Sequence, residues 1–168
     1  MLRLTLSLKL PWRRKLSETD DRGKIKRLAL GFLARREHSA KELAQKLKLR
    51  GAADELAERV VAELESLGFQ DERRFVESFI RARAERGMGP VRIRFELKAR
   101  GVACDLIEQV LAELSIDWEQ ALREVYRRKY QDLPIETARE YGKRYRFLAQ
   151  RGFEPEHIRT LLGEVCKL

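Results

Sequence analysis

The stretch "GPVRIRFELKARG", residues 89–101, decides the fold. From Val91 to Arg100 apolar and polar side chains alternate without a break, the pattern of a half-buried strand. Four of those ten residues are Arg or Lys and one is acidic. The same letters also fit a helix with a narrow buried seam, in which Ile93 and Leu97, four residues apart, share a face. The rest of the chain decides between the two readings.

An Arg-Gly pair recurs at Arg50-Gly51, Arg100-Gly101 and Arg151-Gly152, with the glycines 50 and then 51 residues apart. Four residues before each glycine stands a leucine: Leu47, Leu97 and Leu148. Nine, ten and thirteen residues after it come Val60, Val61 and Leu64; Val110, Leu111 and Leu114; and Leu161, Leu162 and Val165. That spacing is one stripe of an amphipathic helix, and its recurrence at a fixed period predicts tandem repeats.

Each repeat reads as three helices. The first carries an apolar face: Ile25, Leu28 and Phe32, then Phe75, Phe79 and Ile80, then Trp118, Leu122 and Val125. The second ends at the Arg-Gly pair, whose glycine supplies the left-handed residue that stops a helix. The third carries the stripe. "VRIRFELKAR" therefore takes the place of "KELAQKLKLR", with Ile93 and Leu97 matching Leu43 and Leu47. A strand there would have no partner, and an unpaired edge is a liability.

The expected fold is all-α, an elongated array of three tandem three-helix repeats spanning residues 20–68, 69–115 and 116–168. Residues 1–19 form a basic N-terminal extension of net charge +4. Within it "LRLTLSLKL", residues 2–10, also alternates, but no repeat supports it and it is read as a tail. Cap signals agree with the division. Ser39 with Glu42, and Thr137 with Glu140, fit the capping box, while Gly89 and Pro90 suit the N-cap and first turn of a helix.

Two cysteines, Cys104 and Cys166, lie far apart and fit packing roles in a reducing cytoplasm rather than a disulfide framework or zinc cluster. No apolar run approaches the length of a membrane span, and the start of the chain lacks a signal-peptide pattern. A cytoplasmic protein without membrane association is expected.

The net charge of +9 is uneven: residues 1–50 carry +10, residues 51–100 balance, and residues 101–168 carry −1. Within the repeats the second helix is basic each time, at +3, +3 and +4 over residues 40–50, 90–100 and 138–151. The third is acidic, at −4, −3 and −2 over residues 52–66, 102–115 and 153–166. Two readings stay open. The basic helices can face phosphates while the acidic ones meet a protein partner, or the two can neutralise each other within the molecule in pairs contributing only about 0–1 kcal/mol each.

The chain resembles the RecX family of regulatory proteins. The resemblance rests on "RFVESFIRARAERGMGPVRIRFELKARGV" in repeat two, "IDW" at 116–118 and "RRKY" at 127–130. Repeat one adds "LARREHSAKELAQKLKLRG" and repeat three "RFLAQRGFEPEHI". It covers residues 20–166 and leaves out the basic extension; "YQDLPIETAREYGK" is less closely matched. It implies three tandem three-helix repeats that bind the RecA protein, lie in the groove of the RecA filament on single-stranded DNA, and limit its growth and its activities in recombination, DNA repair and the SOS response. A non-enzymatic monomer without cofactor or metal is expected, with a weak non-specific affinity for DNA.

Candidate contact residues are Arg81, Arg83, Arg86, Arg92, Arg94, Lys98 and Arg100 in repeat two, with Arg50, Arg144, Arg146 and Arg151 elsewhere. Some are expected to lay their stems along the edge of the core. The competing reading is a helical protein that binds DNA directly, without RecA. No helix, however, combines the Asn, Gln and Arg suited to bidentate base contacts. Catalysis has little support: His38 and His157 read as separate surface residues, and no phosphate loop or His-Glu-x-x-His motif is present. Among the aromatics, Trp118 and Tyr126 suit core packing. Tyr141 and Tyr145, beside Lys143, Arg144 and Arg146, suit stacking on unpaired bases.

Overall fold

The computed structural model describes residues 18–131 and 133–165. The extension at residues 2–10, and Cys166, lie outside them. Nine helices are present among the described residues: α1 (Glu18–Leu33), α2 (Ala40–Leu49), α3 (Asp54–Ser66), α4 (Glu72–Glu85), α5 (Pro90–Ala99), α6 (Cys104–Glu113), α7 (Trp118–Tyr130), α8 (Ala138–Gln150) and α9 (Pro155–Val165).

The ambiguous stretch is helix α5, and its burial shows why a helix wins. Ile93 and Leu97 are fully buried, whereas Val91 and Phe95 are 43% and 73% exposed. A strand would have put all four on one face; a helix separates them into an inner and an outer pair. The alternation is thus a by-product of two apolar residues left on the solvent side.

Each set of three helices closes around its own core. Leu43, Leu47, Ala57, Val60, Val61 and Leu64 join Ile25 and Ala29 in the first. Phe75, Ile80, Ile93, Leu97, Ile107, Val110 and Leu111 form the second. Leu122, Val125, Tyr126, Leu148, Phe153, Ile158, Leu161 and Leu162 form the third, together with Ile135 from the α7–α8 connection. Each Val, Leu, Ile or Phe among them contributes about 1.5–3 kcal/mol when fully buried. The principal helix packings all lie within units, and in the third α9 packs on both α7 and α8.

The second helices end as their glycines require. Gly51, Gly101 and Gly152 have φ of +93°, +83° and +84°. Around Gly51, the glycine amide donates to the Lys48 carbonyl at 2.9 Å and the Ala52 amide to the Leu47 carbonyl at 3.1 Å, and the other two sites repeat this pair of bonds. These are the bonds of a Schellman stop. At the starts, Ser39 and Thr137 accept from the amides of Glu42 and Glu140. The reciprocal half of the expected capping box is diverted: Glu42 pairs with Arg36, and Glu140 accepts from the Glu136 amide at 3.1 Å. Asp71 and Asp117 cap α4 and α7 in the same single-sided way.

Four expectations need correction. Trp118 packs against the second core with Ile116, rather than inside the third, because it stands at the first turn of α7 where the chain leaves the second unit. Leu28 is 37% exposed and is not part of the first core. Cys104 opens α6 on its solvent side and is exposed. His38 is buried at 2% exposure. Its Nδ1 lies 2.9 Å from the Arg36 carbonyl and its Nε2 lies 2.8 Å from Lys46 Nζ. Burial holds its pKa below the usual histidine value, the nearby Arg36 and Lys46 charges adding to that, so the ring is neutral and accepts from the ammonium.

Candidate partner-binding surface

The second helices of successive units meet end to end. At the first joint the Ser39 hydroxyl, which caps α2, donates to the Arg100 carbonyl at the end of α5 at 3.0 Å. At the second, the amides of Gly89 and Val91 at the start of α5 donate to the carbonyls of Arg151 and Gly152, beyond the end of α8, at 2.8 and 3.0 Å. At the second joint, orphan amides of one helix start are thus satisfied by orphan carbonyls of another helix end. The dipoles are arranged head to tail. Read in space from α8 through α5 to α2, the array carries about 50 Å of basic helix.

The eleven candidate cations divide by what they hold. Arg83, Arg92 and Arg100 surround one carboxylate, Glu96, at 2.8, 3.0 and 3.9 Å. Burial opposes ionisation of Glu96, yet the Arg92 hydrogen bond and the Arg83 charge hold it below the usual carboxylate range. The Arg83 and Arg100 guanidinium groups also lie 4.8 and 4.7 Å from the centre of the Phe79 ring, a cation–π arrangement. Arg92 reaches the Gln150 carbonyl at 3.2 Å, across the second joint.

Arg94 bridges Glu108 of its own unit at 2.9 Å and Glu154 of the next at 3.2 Å; the Glu108 hydrogen bond raises its pKa further. Arg151 donates to the carbonyls of Arg86 and Gly87, both at 3.2 Å. Arg50 lies over the Phe32 ring and is otherwise open to solvent.

Arg144 stands apart. It is 6% exposed and donates to the Tyr126 hydroxyl, to the Leu133 carbonyl at 2.6 Å and to the Pro134 carbonyl at 3.1 Å. Its guanidinium ties down the long α7–α8 connection, whose backbone carbonyls need donors, and has no face left for a partner. Arg81, Arg86, Lys98 and Arg146 are exposed, and their side chains make no hydrogen bond or ion pair among the described residues. Arg86 lines a groove between the first and second units with Arg36, Phe79, Arg83 and Arg100.

The internal-neutralisation reading of the charge pattern holds in part. Lys48 is engaged by Asp54 and Glu58 of α3, and Arg94 by Glu108 of α6, so some basic helix charge is neutralised internally. Among the eleven candidates, Arg81, Arg86, Lys98 and Arg146 keep charge that no acidic side chain of the described residues neutralises. Sequence reasoning passed over Glu96, although its position four residues after Arg92 and four before Arg100 is the helical ion-pair spacing. It also passed over Phe95, 73% exposed at the centre of the array, although the narrow seam of Ile93 and Leu97 leaves that position on the solvent side.

This architecture defines a class: a tandem three-helix repeat protein whose second helices abut in series. Residues 26–64 match the first three-helix domain of RecX, residues 71–111 the second and residues 117–162 the third. The regulatory protein RecX of Pseudomonas entomophila is 45% identical over 83% of this chain and 90% of its own length. That of Stenotrophomonas maltophilia is 40% identical over 78% and 80%. In three dimensions the chain resembles the crystal structure of RecX from Lactobacillus salivarius, with a TM-score of 0.68 at 22% identity over 88% of this chain and 97% of that one. A second crystal structure of regulatory protein RecX gives 0.71 at 19% identity, over 87% and 73%. The chain belongs to the RecX family.

Proposed function

We propose that this protein is a non-enzymatic regulator that binds the RecA recombinase filament on single-stranded DNA and limits its extension and activity. The observation that carries this reading is the end-to-end series of basic second helices. A series of this length can touch more than one subunit of a polymer, and each weak contact then raises the effective concentration of the next. An assembled filament is therefore bound better than a free subunit. Units 20–68, 69–115 and 116–168 are the successive points of attachment. Obstruction requires no chemistry, since occupying a groove and bridging subunits hinders incoming duplex and subunit rearrangement.

Arg81, Arg86 and Lys98 are assigned to the partner, because they alone in the middle unit carry unspent charge among the candidates. Arg92 and Arg94 are assigned to the joint. Co-sedimentation with preassembled RecA filaments, with RecA alone and with single-stranded DNA alone, across a salt series, tests the proposal. Preferential recovery with the filament is expected, weakening as salt rises; equal recovery with free RecA would refute it.

A further inference from the structure

At the outer end of the array, helix α8 presents an aromatic face that the core does not use up. Tyr141 and Tyr145 are half-buried and pack by one side against the third core. Their rings are near-parallel, 18° between planes, with centroids 6.5 Å apart. Between them stands Gly142, where an added Cβ would meet nothing within 4 Å. The two rings and the bare backbone line an open groove of about 530 Å³ whose other walls are Arg139, Arg146 and Arg159.

Those three arginines are exposed, and none has an acidic partner among the described residues. Lys143 on the same helix is likewise exposed and unpaired. Of the acidic residues that open α8, Glu140 is turned back onto the Glu136 amide at 3.1 Å. The charge and the rings together select a ligand. An acidic peptide would satisfy the guanidinium groups but leave the parallel ring faces without a counterpart. A duplex would offer phosphates while keeping its base faces stacked inside. Of these three, an unpaired strand supplies both, a π-face for stacking and flanking phosphates for the arginines.

We propose that the Tyr141–Tyr145 face of α8 is a binding site for single-stranded nucleic acid, with an unpaired base stacked on the tyrosine rings and the neighbouring phosphates held by Arg139, Arg146 and Arg159. This site does not depend on the RecA reading, since it acts on a bare strand.

Fluorescence anisotropy of the full chain with a labelled oligothymidylate of about 20 nucleotides tests it. Replacing both rings, Tyr141→Ala with Tyr145→Ala, is expected to weaken binding about tenfold, while Tyr141→Phe with Tyr145→Phe retains it. Arg146→Ala and Arg159→Ala should each lower the slope of log affinity against log salt by about 0.7. Because the rings also touch the core, the wild-type chain supplies an independent arm: a strand of the same length without bases should bind about tenfold more weakly. An abasic strand or a duplex bound as tightly as oligothymidylate would overturn the site, as would a folded double-alanine variant of unchanged affinity. Oligothymidylate binding that persists while filament binding is absent would sink the RecA reading alone.

Discussion

The two joints of the array share one topology and differ in chemistry. At the second, backbone meets backbone: a Cβ on Gly89 would lie 2.3 Å from the Gly152 carbonyl oxygen, and one on Gly152 would lie 2.3 Å from the Arg92 Cβ. At the first, side chains mediate. The Ser39 hydroxyl reaches the Arg100 carbonyl, Glu72 accepts from the Ala40 amide at 2.9 Å, and a Cβ on Gly101 would meet the flexible stem of Lys41. Gln70 adds a bond to the His38 carbonyl at 3.3 Å. The second joint is therefore held by backbone hydrogen bonds in close steric contact and the first by side-chain hydrogen bonds, so the middle and third units are expected to form the stiffer pair.

The sharpest way to break this contrast is a matched pair of substitutions. Gly89→Ala places a methyl against backbone that cannot rotate away, and should destabilise by about 3 kcal/mol in chemical unfolding. Gly101→Ala meets only a lysine stem and the strain of a positive φ, which amounts to about 1 kcal/mol. Equal losses would mean that the joints do not differ. Next in size, Ser39→Ala removes both the α2 cap and the bond to Arg100, and should lower stability by about 1–2 kcal/mol. In native-state hydrogen exchange it should loosen the Glu42 amide, which the Ser39 hydroxyl accepts from, while leaving those of Gly89 and Val91 protected.

Acid provides a subtler test of the first joint. Burial holds the His38 pKa below 6.5, with the Arg36 and Lys46 charges in the same direction. The unfolded chain therefore binds the proton more readily, and this contribution to stability is present above about pH 6.5 and lost as pH falls through the folded value. His38→Gln should flatten the unfolding free energy between pH 7 and 5; an unchanged profile would exclude the ring as its source. The smallest effect is expected from Lys98→Ala, an exposed and unpaired site, where stability should stay within about 0.5 kcal/mol of wild type.

Much of this contrast was beyond the reach of sequence. The Arg-Gly period located all three second helices, and the cap residues Ser39, Gly89 and Thr137 placed their starts. The helical reading of residues 90–99 followed from that register, not from the local pattern, which pointed the other way. What stayed hidden depends on contacts outside the local helix register, from 10 residues apart at Arg144 to 65 at Arg151. Gly89 was legible as a cap, but its approach to Gly152 is set by how units stack, and no local propensity encodes that.

Arg144 was indistinguishable from its neighbours Lys143 and Arg146 until the α7–α8 connection supplied the carbonyls that bury it. The same holds for Arg92, Arg94 and Arg151, which read as a uniform basic surface and prove to be joint residues. The aromatic pair Tyr141 and Tyr145 was legible as a stacking candidate because its spacing of four fixes a shared helix face. The contributions of Gly142 and Arg159 to that groove required coordinates.

Unspent charge is assigned to a partner and spent charge to the joints. The most direct measurement is the affinity of the Arg81→Ala, Arg86→Ala, Lys98→Ala triple variant for RecA filaments on single-stranded DNA, with its melting temperature measured alongside. A loss of at least about tenfold, with melting unchanged, is predicted for three weak contacts removed from one multivalent interface. Wild-type affinity in that folded variant would contradict the assignment and place the contact surface elsewhere on the array.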